Sequence, residues 1–304
     1  MAQVSICIPA YKDVVGIRRL LGSIYDSEYT DYEVIITDDT RGDGIESLLE
    51  EFELPIRYEH NSTTLGPANN WNKAISMATS PYIKVMHQDD WFTHSLCLGK
   101  FVEMLDSDRE VNMAFSGTRQ VTIRPEDPDD LSEFYDRSIT PVQKSLIKED
   151  YRNLFLGGFI GSPSAVIFRR TAERFDPKLK WLVDSDFYMR LLADGSGFVC
   201  DRSPLVCIGM SDKQLSHSLS ADKDVNIYEH RYLFKKYHLE DTESYRDKLI
   251  DVCVSYNGKY TDISDLGITK EEYKQVHRIY KKRMRDFYKK LVLRKLGMNP
   301  DTQQ

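Results

Sequence analysis

From its first strand to Asp90 the chain alternates short runs rich in Val and Ile with segments of helical period, and this alternation restricts its fold more than any other feature. The runs are "VSICIP" (Val4 to Pro9), "YEVIITDD" (Tyr32 to Asp39), "IRYEH" and "YIKVMH". Between them lie "GIRRLLGSIYDS", with Ile17, Leu20, Leu21 and Ile24 on one helical face, the short "GIESLLEEF", and "GPANNWNKAISMA". Strand, helix and strand in succession imply right-handed crossovers, so an α/β fold with a mostly parallel central sheet flanked by helices is expected. The strands are near-continuous apolar runs, as they are where both faces of a sheet are buried.

After Asp90 the pattern changes. "VNMAFSGTRQVTI" reads as a longer strand, and the acidic "RPEDPDDLSEF" as an exposed, mobile loop. A helix is expected over Ile147 to Leu156, and a strand after "GGFIGSPS". "WLVDSDFYMRLLADG" reads as a helix closed by Gly195, and "FVCDRSPLVCIGM" as two short strands turning at Ser203 and Pro204. From Asp222 onward only helices are expected. The division that follows is a catalytic domain over 1–220, its nucleotide half about 1–90 and its acceptor half about 91–220, and a helical extension over 221–304.

A chain of 304 residues, 41% hydrophobic and 29% charged, can bury a sizeable core and has no low-complexity tract. Its five cysteines, Cys7, Cys97, Cys200, Cys207 and Cys253, are scattered without metal-ligand spacing and read as buried thiols in a reducing compartment. No run approaches the roughly 18 to 20 apolar residues of a membrane span, and no basic, apolar leader precedes the first strand, so a cytoplasmic location is expected.

In an open parallel sheet the ligand site lies beyond the carboxyl ends of the strands. Here those ends read "PAYKD", "TDDTRGDG", "HNSTTLGPANN" and "HQDDW", and paired Asp occurs twice. Adjacent carboxylates facing one cleft stay ionised only with a cation or strong donors between them. Asp89 and Asp90 therefore suggest a hard divalent ion, Mg2+ or Mn2+, shared with a diphosphate. The plainer alternative is that one of them caps a helix starting near Thr93 while the other is solvated. Asp38 and Asp39 suit either an Asx-type turn or hydrogen bonds from a base and a ribose. Tyr11 is either a stacking platform or an ordinary half-buried aromatic.

Taken in order, "VSICIPAYKD", "YEVIITDDTRGDG", "LGPANNWNKAI", "YIKVMHQDDW" and "WLVDSDFYMRLL" resemble the family 2 glycosyltransferases of the GT-A fold, inverting enzymes that use nucleotide sugars. The resemblance spans about the first 220 residues. It implies that Pro9, Ala10, Tyr11 and Asp13 hold a uracil-type base, with Lys12 and Asp13 standing where Asn and Glu are usual. It further implies Asp38 at the base, Asp39 near the ribose, and Asn72, with Lys73 or Asn70, beside the nucleotide. The acidic motif falls on His87, Gln88, Asp89 and Asp90. On this match His87 takes the place of the first Asp, Gln88 borders the nucleotide, Asp89 is the first metal ligand and Asp90 the second. In "VDSDFYMR", Val183 replaces the usual Glu, Asp184 is implied as the catalytic base, and Asp186 and Arg190 support it. In "SDKQLSHS", Ser211 stands at an expected His, Gln214 and Ser216 match, and His217 is the nearest substitute.

The implied reaction is transfer from a nucleoside-diphosphate sugar, UDP-linked, to a hydroxyl of a glycan or lipid-linked glycan, assisted by Mn2+ or Mg2+. A dinucleotide-binding enzyme would need G-x-G-x-x-G where "IPAYKDVVG" stands, and a nucleotidyltransferase would need a Gly-rich basic loop there. An inactive nucleotide-sugar-binding scaffold on the same fold is the remaining alternative. The acceptor is expected at the acidic loop from Arg124 to Phe134 and at the helices beyond Asp222.

One charge asymmetry stands apart. From Arg278 to Lys295 nine basic residues face one acid, Asp286, a net +8 in a chain whose net charge is −7. Tyr280, Met284, Phe287, Tyr288, Leu291 and Leu293 interleave with these cations, a pattern that suits peripheral contact with an anionic membrane. A solvated helix packed on the catalytic domain is the plainer alternative. The acidic body argues against nucleic acid as a partner.

Overall fold

The structure is a computed structural model that describes residues 2–295 other than 43, 44, 212 and 213, and only the backbone of 215, 217, 288 and 291–295. The chain divides into two units, Met1–His217 and Ser218–Gln304.

The first unit opens with β1 (Val4–Ala10), α1 (Val14–Tyr25), β2 (Tyr32–Asp38), α2 (Glu46–Leu49), β3 (Ile56–His60), α3 (Pro67–Met77) and β4 (Tyr82–Val85). These strands pair in parallel in the order β3-β2-β1-β4, as the alternation requires. β1 is buried along its whole length, and α1 covers it with Ile17, Leu20, Leu21 and Ile24. α3 starts where Gly66 takes φ 81° and Pro67 occupies the first turn, both favoured at a helix entrance.

Next come β5 (Asp90–Phe92), α4 (Cys97–Asp106), β6 (Met113–Thr122), β7 (Phe134–Arg137), α5 (Pro141–Glu149), β8 (Val166–Arg169), α6 (Val183–Leu192) and β9 (Phe198–Met210). The sheet continues β4-β8-β6-β9-β5, with β7 on the side of β6. Pairing here is mixed: β8 is antiparallel to β4 and β6, β9 parallel to β6, and β5 antiparallel to β9. The molecule is thus an α/β protein with a central sheet flanked by helices, parallel throughout its first half.

Several expectations for the second half change. "FVCDRSPLVCIGM" is one strand, not two; it bulges where its register against β6 shifts around Gly117. A Cβ on Gly117 would overlap the Arg202 carbonyl, so the bulge rests on that glycine. The helix expected over Ile147 to Leu156 is broken at Asp150. α5 ends there, and Asp150, extended at φ −152° and ψ 117°, caps a 3-10 turn over Tyr151–Leu156. The start of α5 carries a capping box, Thr140 with Gln143, in front of Pro141. The acidic loop is fastened: Arg124 bonds Asp130 at 2.9 Å and also Glu133, while Arg19 donates to the Pro128 carbonyl at 2.6 Å. One guanidinium there neutralises charges that would otherwise drive the loop apart.

The second unit is helical, as expected, with α7 (Leu215–Ala221) bridging the division, then α8 (Lys223–Lys236), α9 (Glu243–Ser255) and α10 (Lys270–Lys295). α8 buries Leu233 and Phe234, α9 buries Leu249 and Ile250, and Val276 of α10 is buried near that helix's start. Cys7, Cys97, Cys207 and Cys253 are buried, Cys200 is half-buried, and all five are free thiols.

At the amino edge of the sheet, away from the strand ends where ligands bind, Glu33 ties three elements together. It accepts from Ser5 Oγ at 2.6 Å, Thr79 N at 3.1 Å and Thr79 Oγ1 at 2.9 Å, and Arg57 approaches at 3.4 Å. Burial pulls the Glu33 carboxyl upward, but the hydrogen bonds from Ser5, Thr79 and Arg57 outweigh it and hold the pKa at about 2, below its ordinary 4.5. A depressed carboxylate contributes stability that is present above its unfolded pKa and is lost as pH falls through its folded one. Chemical denaturation should accordingly show about 1 kcal/mol of stability draining as pH falls from 4.5 to 2, since solvent screens much of the interaction of this partly exposed group. Glu33→Gln should flatten that part of the profile, and an unchanged slope in the variant would contradict the assignment.

Candidate active site

The loop after β1 is held by the turn after β4. Tyr11 N donates to Gln88 Oε1 at 2.5 Å, and Gln88 Nε2 donates back to the Tyr11 carbonyl at 2.9 Å. The Tyr11 ring is left 46% exposed, with the Lys12 ammonium 4.7 Å from its centroid. Lys12 takes a positive φ of 62°, and its N–H donates to Thr40 Oγ1 at 2.8 Å. Asp13 caps α1, accepting from Gly16 N at 2.9 Å. A Cβ on Gly16 would overlap Asp13 and crowd the Gln88 carbonyl, so only glycine lets the helix approach the acidic turn this closely. Pro9 and Ala10 are buried strand residues, and the Ala10 carbonyl accepts from Asp39 N at 2.9 Å.

Three nucleotide contacts expected from sequence meet side chains that are already taken. Asp38 is wholly buried and accepts from Thr40 N at 2.8 Å, Ile45 N at 3.3 Å and Tyr58 Oη at 3.0 Å. This is the Asx-type alternative, extended by a tyrosine. Asp39, 4% exposed, accepts from Asn61 Nδ2 at 2.6 Å, Leu65 N at 3.1 Å and Gly66 N at 2.9 Å, anchoring the entrance of α3. Asn72 spends both ends of its amide on Phe175, donating to its carbonyl at 2.8 Å and accepting its N–H at 2.7 Å. The neighbouring Asn70 is buried, donating to the Thr37 and Ala10 carbonyls at 3.0 and 3.3 Å. Lys73 meets Glu59 at 2.6 Å and Asn61 at 2.5 Å. Past the ends of β2 and β3, residues 40–42 and 60–64 line a polar cavity of about 390 Å³ that includes Arg41 and His60.

The turn from His87 to Asp90 is closed by a hydrogen bond from Asp90 N to the His87 carbonyl at 3.1 Å. Asp90 belongs to β5 and α4 begins only at Cys97, so neither aspartate caps that helix. A Cβ on Gly209 of β9 would overlap the Asp89 carbonyl, which seats the turn directly on the neighbouring strand. Potential ligand atoms of His87, Asp89 and Asp90 all lie within 4.8 Å of one another. Asp90 is 2% exposed, and burial together with the charge of Asp89 pushes its carboxyl well above the usual carboxylate range. Asp89 is half-buried and accepts from Gln214 Nε2 at 3.1 Å, a bond that Gln214 shares with the Gly209 carbonyl.

Beneath this turn lies Lys84 of β4, fully buried, which sequence reasoning passed over. Its ammonium donates to the Ser164 carbonyl and stands 4.3 Å from the Phe101 ring centroid. Burial lowers its pKa to about 7 against the opposing pull of Asp90. Residues 161–164 then join the acidic turn to α6. Ser164 Oγ accepts from His87 N at 2.8 Å, Ser162 Oγ lies 3.4 Å from Asp90, and the Gly161 carbonyl accepts from Tyr188 Oη of α6 at 3.1 Å. The Gly and Ser cluster of "GGFIGSPS" was the available signal.

Asp184 sits in the first turn of α6, half-buried, its Oδ1 accepting from Ser185 N at 2.7 Å. Leu182 is the residue at the cap, so Asp184 does not hold that position. Asp186 is fully buried and pairs with Arg190 at 3.1 Å, and Arg190 also bonds Glu173 and the Arg174 carbonyl. Ser211 accepts from Gln214 N at 3.1 Å through its carbonyl, Ser216 is exposed, and the His217 side chain lies outside the described residues.

Among the described residues, two buried side-chain polar atoms lack a hydrogen-bond partner, and both belong to this site: His87 Nε2 and Gln214 Oε1. Buried polar atoms are rarely left unpaired, so two together, beside two carboxylates, fit a place for a divalent cation and its ligand.

Known proteins agree with this architecture. The family model described as glycosyl transferase family 2 matches residues 5–175. The abequosyltransferase RfbV of Salmonella typhimurium is 29% identical over 57% of the chain and 54% of its own length. The chain spans 54% to 63% of the first curated relatives that it matches. Staphylococcus aureus TarS 1–349, solved with UDP-GlcNAc, superposes with a TM-score of 0.63 at 16% identity, covering 91% of this chain and 79% of TarS. The mannosyltransferase PcManGT of Pyrobaculum calidifontis, solved with GDP-Man and Mn2+, superposes with a TM-score of 0.53 at 15% identity, covering 91% and 84%. The fold is theirs, and with the family model matched over more than half of its length the chain belongs to glycosyl transferase family 2.

Proposed function

We propose that the chain is an inverting glycosyltransferase that moves a sugar from a nucleoside-diphosphate sugar, UDP-linked, to a hydroxyl of a glycan or lipid-linked glycan in surface polysaccharide or lipopolysaccharide synthesis. The observation that carries this reading is the cluster of His87, Asp89 and Asp90 with its unpaired polar atoms, placed where a parallel half-sheet ends. TarS was solved with UDP-GlcNAc and PcManGT with GDP-Man and Mn2+, and both share the fold.

In this reading the exposed Tyr11 ring supports the base, and Gln88 and Lys12 hold that loop in place. Asp89 and Asp90 would hold a divalent ion, Mn2+ or Mg2+, which when bound neutralises charge on the diphosphate. Asp184 accepts the proton of the acceptor hydroxyl as its oxygen bonds to the anomeric carbon, while the bond from that carbon to the diphosphate oxygen breaks. Asp186 and Arg190 fix the helix that carries Asp184.

Asp184→Asn should retain donor binding in calorimetry and lose about 10²- to 10⁴-fold in transfer rate, the usual worth of a general base. Normal transfer by the variant would remove Asp184 from this role. NMR of the product should show an anomeric configuration opposite to that of the donor. Failure of every donor with acceptor extracts would favour an inactive nucleotide-sugar-binding scaffold.

The acceptor side includes contact with an anionic membrane surface through Arg278 to Lys295. Ile279 and Phe287 of α10 are 57% and 56% exposed, and Lys281, Lys282 and Arg285 are exposed beside them. Among the described residues no helix is long and apolar enough to cross a membrane. Flotation with anionic vesicles should recover the full chain, and the triple variant Lys281→Glu, Lys282→Glu, Arg285→Glu should stay behind with the unbound fraction. Equal flotation of both would defeat the membrane contact.

A further inference from the structure

The ring of His87 has an unusual position for an imidazole that is largely enclosed. Its side chain is 22% exposed, yet neither ring nitrogen makes a hydrogen bond with a described residue. Nε2 is buried without a partner, and Nδ1 faces Asp90 Oδ2 at 3.9 Å, too far for a hydrogen bond. A neutral imidazole carries one N–H and one lone pair, and leaving such a group unmatched is unfavourable. The ring is nevertheless well held. Trp71 lies against it at 4.6 Å between centroids, and the His87 backbone is fixed by Ser164 Oγ at 2.8 Å.

We propose that His87 is a direct ligand of the divalent ion, joining Asp89 and Asp90, and that its nitrogen makes the site prefer a first-row transition ion over Mg2+. The inference rests on the transferase reading for the presence of an ion, and goes beyond it in naming a third ligand and a metal preference. Two atoms that each lie about 2.1 Å from one ion are at most about 4.2 Å apart. Nδ1 and Asp90 already satisfy that limit, and the whole group, within 4.8 Å, needs a closure of only roughly half an ångström. Mg2+ prefers oxygen ligands and keeps its waters, whereas Co2+ and its neighbours accept imidazole readily.

Charge points the same way. Asp89 and Asp90 are the acids of the cluster, the Lys84 ammonium is held beneath them on the Ser164 carbonyl, and a neutral imidazole adds a donor without adding charge. The protein alone should therefore hold the ion weakly, and a diphosphate should complete the site. Metal affinity is expected to rise at least tenfold when UDP is present.

The test uses the full chain with Mn2+ and UDP, prepared once with ordinary and once with 15N-labelled histidine. Pulsed electron paramagnetic resonance should show a directly bonded nitrogen whose coupling changes with the label and disappears in His87→Asp. Calorimetry with UDP should find Co2+ bound at least tenfold more tightly than Mg2+, and His87→Asp should reduce that ratio at least tenfold. Bound Mn2+ with no effect of the label overturns the assignment and leaves sugar transfer as a separate question, answered by product formation. Absence of Mn2+ binding, with or without UDP, overturns it as well. The labelled wild-type protein decides the matter even if the variant does not fold.

Discussion

The candidate site depends on a cation placed in the interior. An ammonium as enclosed as that of Lys84 is strongly disfavoured unless donors and charges around it are matched. Here the Ser164 carbonyl, the rings of Phe101 and Phe92 and the charge of Asp90 supply the match. Fixing Ser164 in turn fixes residues 161–164, which meet His87, Asp90 and Tyr188. The acidic turn after β4 and the middle of α6, far apart in sequence, are thereby referred to one short segment.

The two aspartate pairs illustrate how similar sequence elements acquire different tasks. Asp38 and Asp39 end β2 and are surrounded by the chain's own N–H and O–H donors, so their charge is satisfied within the fold. Asp89 and Asp90 lie in the turn after β4 and at the start of β5, and there burial, with the charge of Asp89 added to it, outweighs the donors that reach Asp90 and raises its carboxyl. A carboxylate saturated by backbone donors organises loops, whereas one left undersupplied next to another acid invites a cation. Dipeptide composition cannot distinguish these cases, because the donors come from residues distant in sequence.

The parallel half of the sheet was legible because its strands are continuous apolar runs and its helices keep one buried face, as Ile17 to Ile24 show. The mixed half was less so. β5 has three residues, β7 is exposed throughout, and the bulge of β9 depends on Gly117 of a different strand. His87 was visible as a departure within an acidic motif, and the structure gives that departure an environment. The attachment of Asn72 to Phe175 was invisible, since it joins α3 to a segment about a hundred positions away whose course no local pattern reveals. Lys84 was hidden for the opposite reason, as a lysine inside an apolar strand ordinarily points outward to water.

The clamp between Gln88 and Tyr11 has a thermodynamic side. Both polar groups of the Tyr11 backbone are engaged by one side-chain amide, so the peptide loses its torsional freedom when the chain folds. Ordering a loop residue typically costs about 1–2 kcal/mol of backbone entropy. For Tyr11 that cost is met during folding, which leaves a solvent-facing aromatic ring on a backbone that has little further disorder to surrender when something stacks upon it.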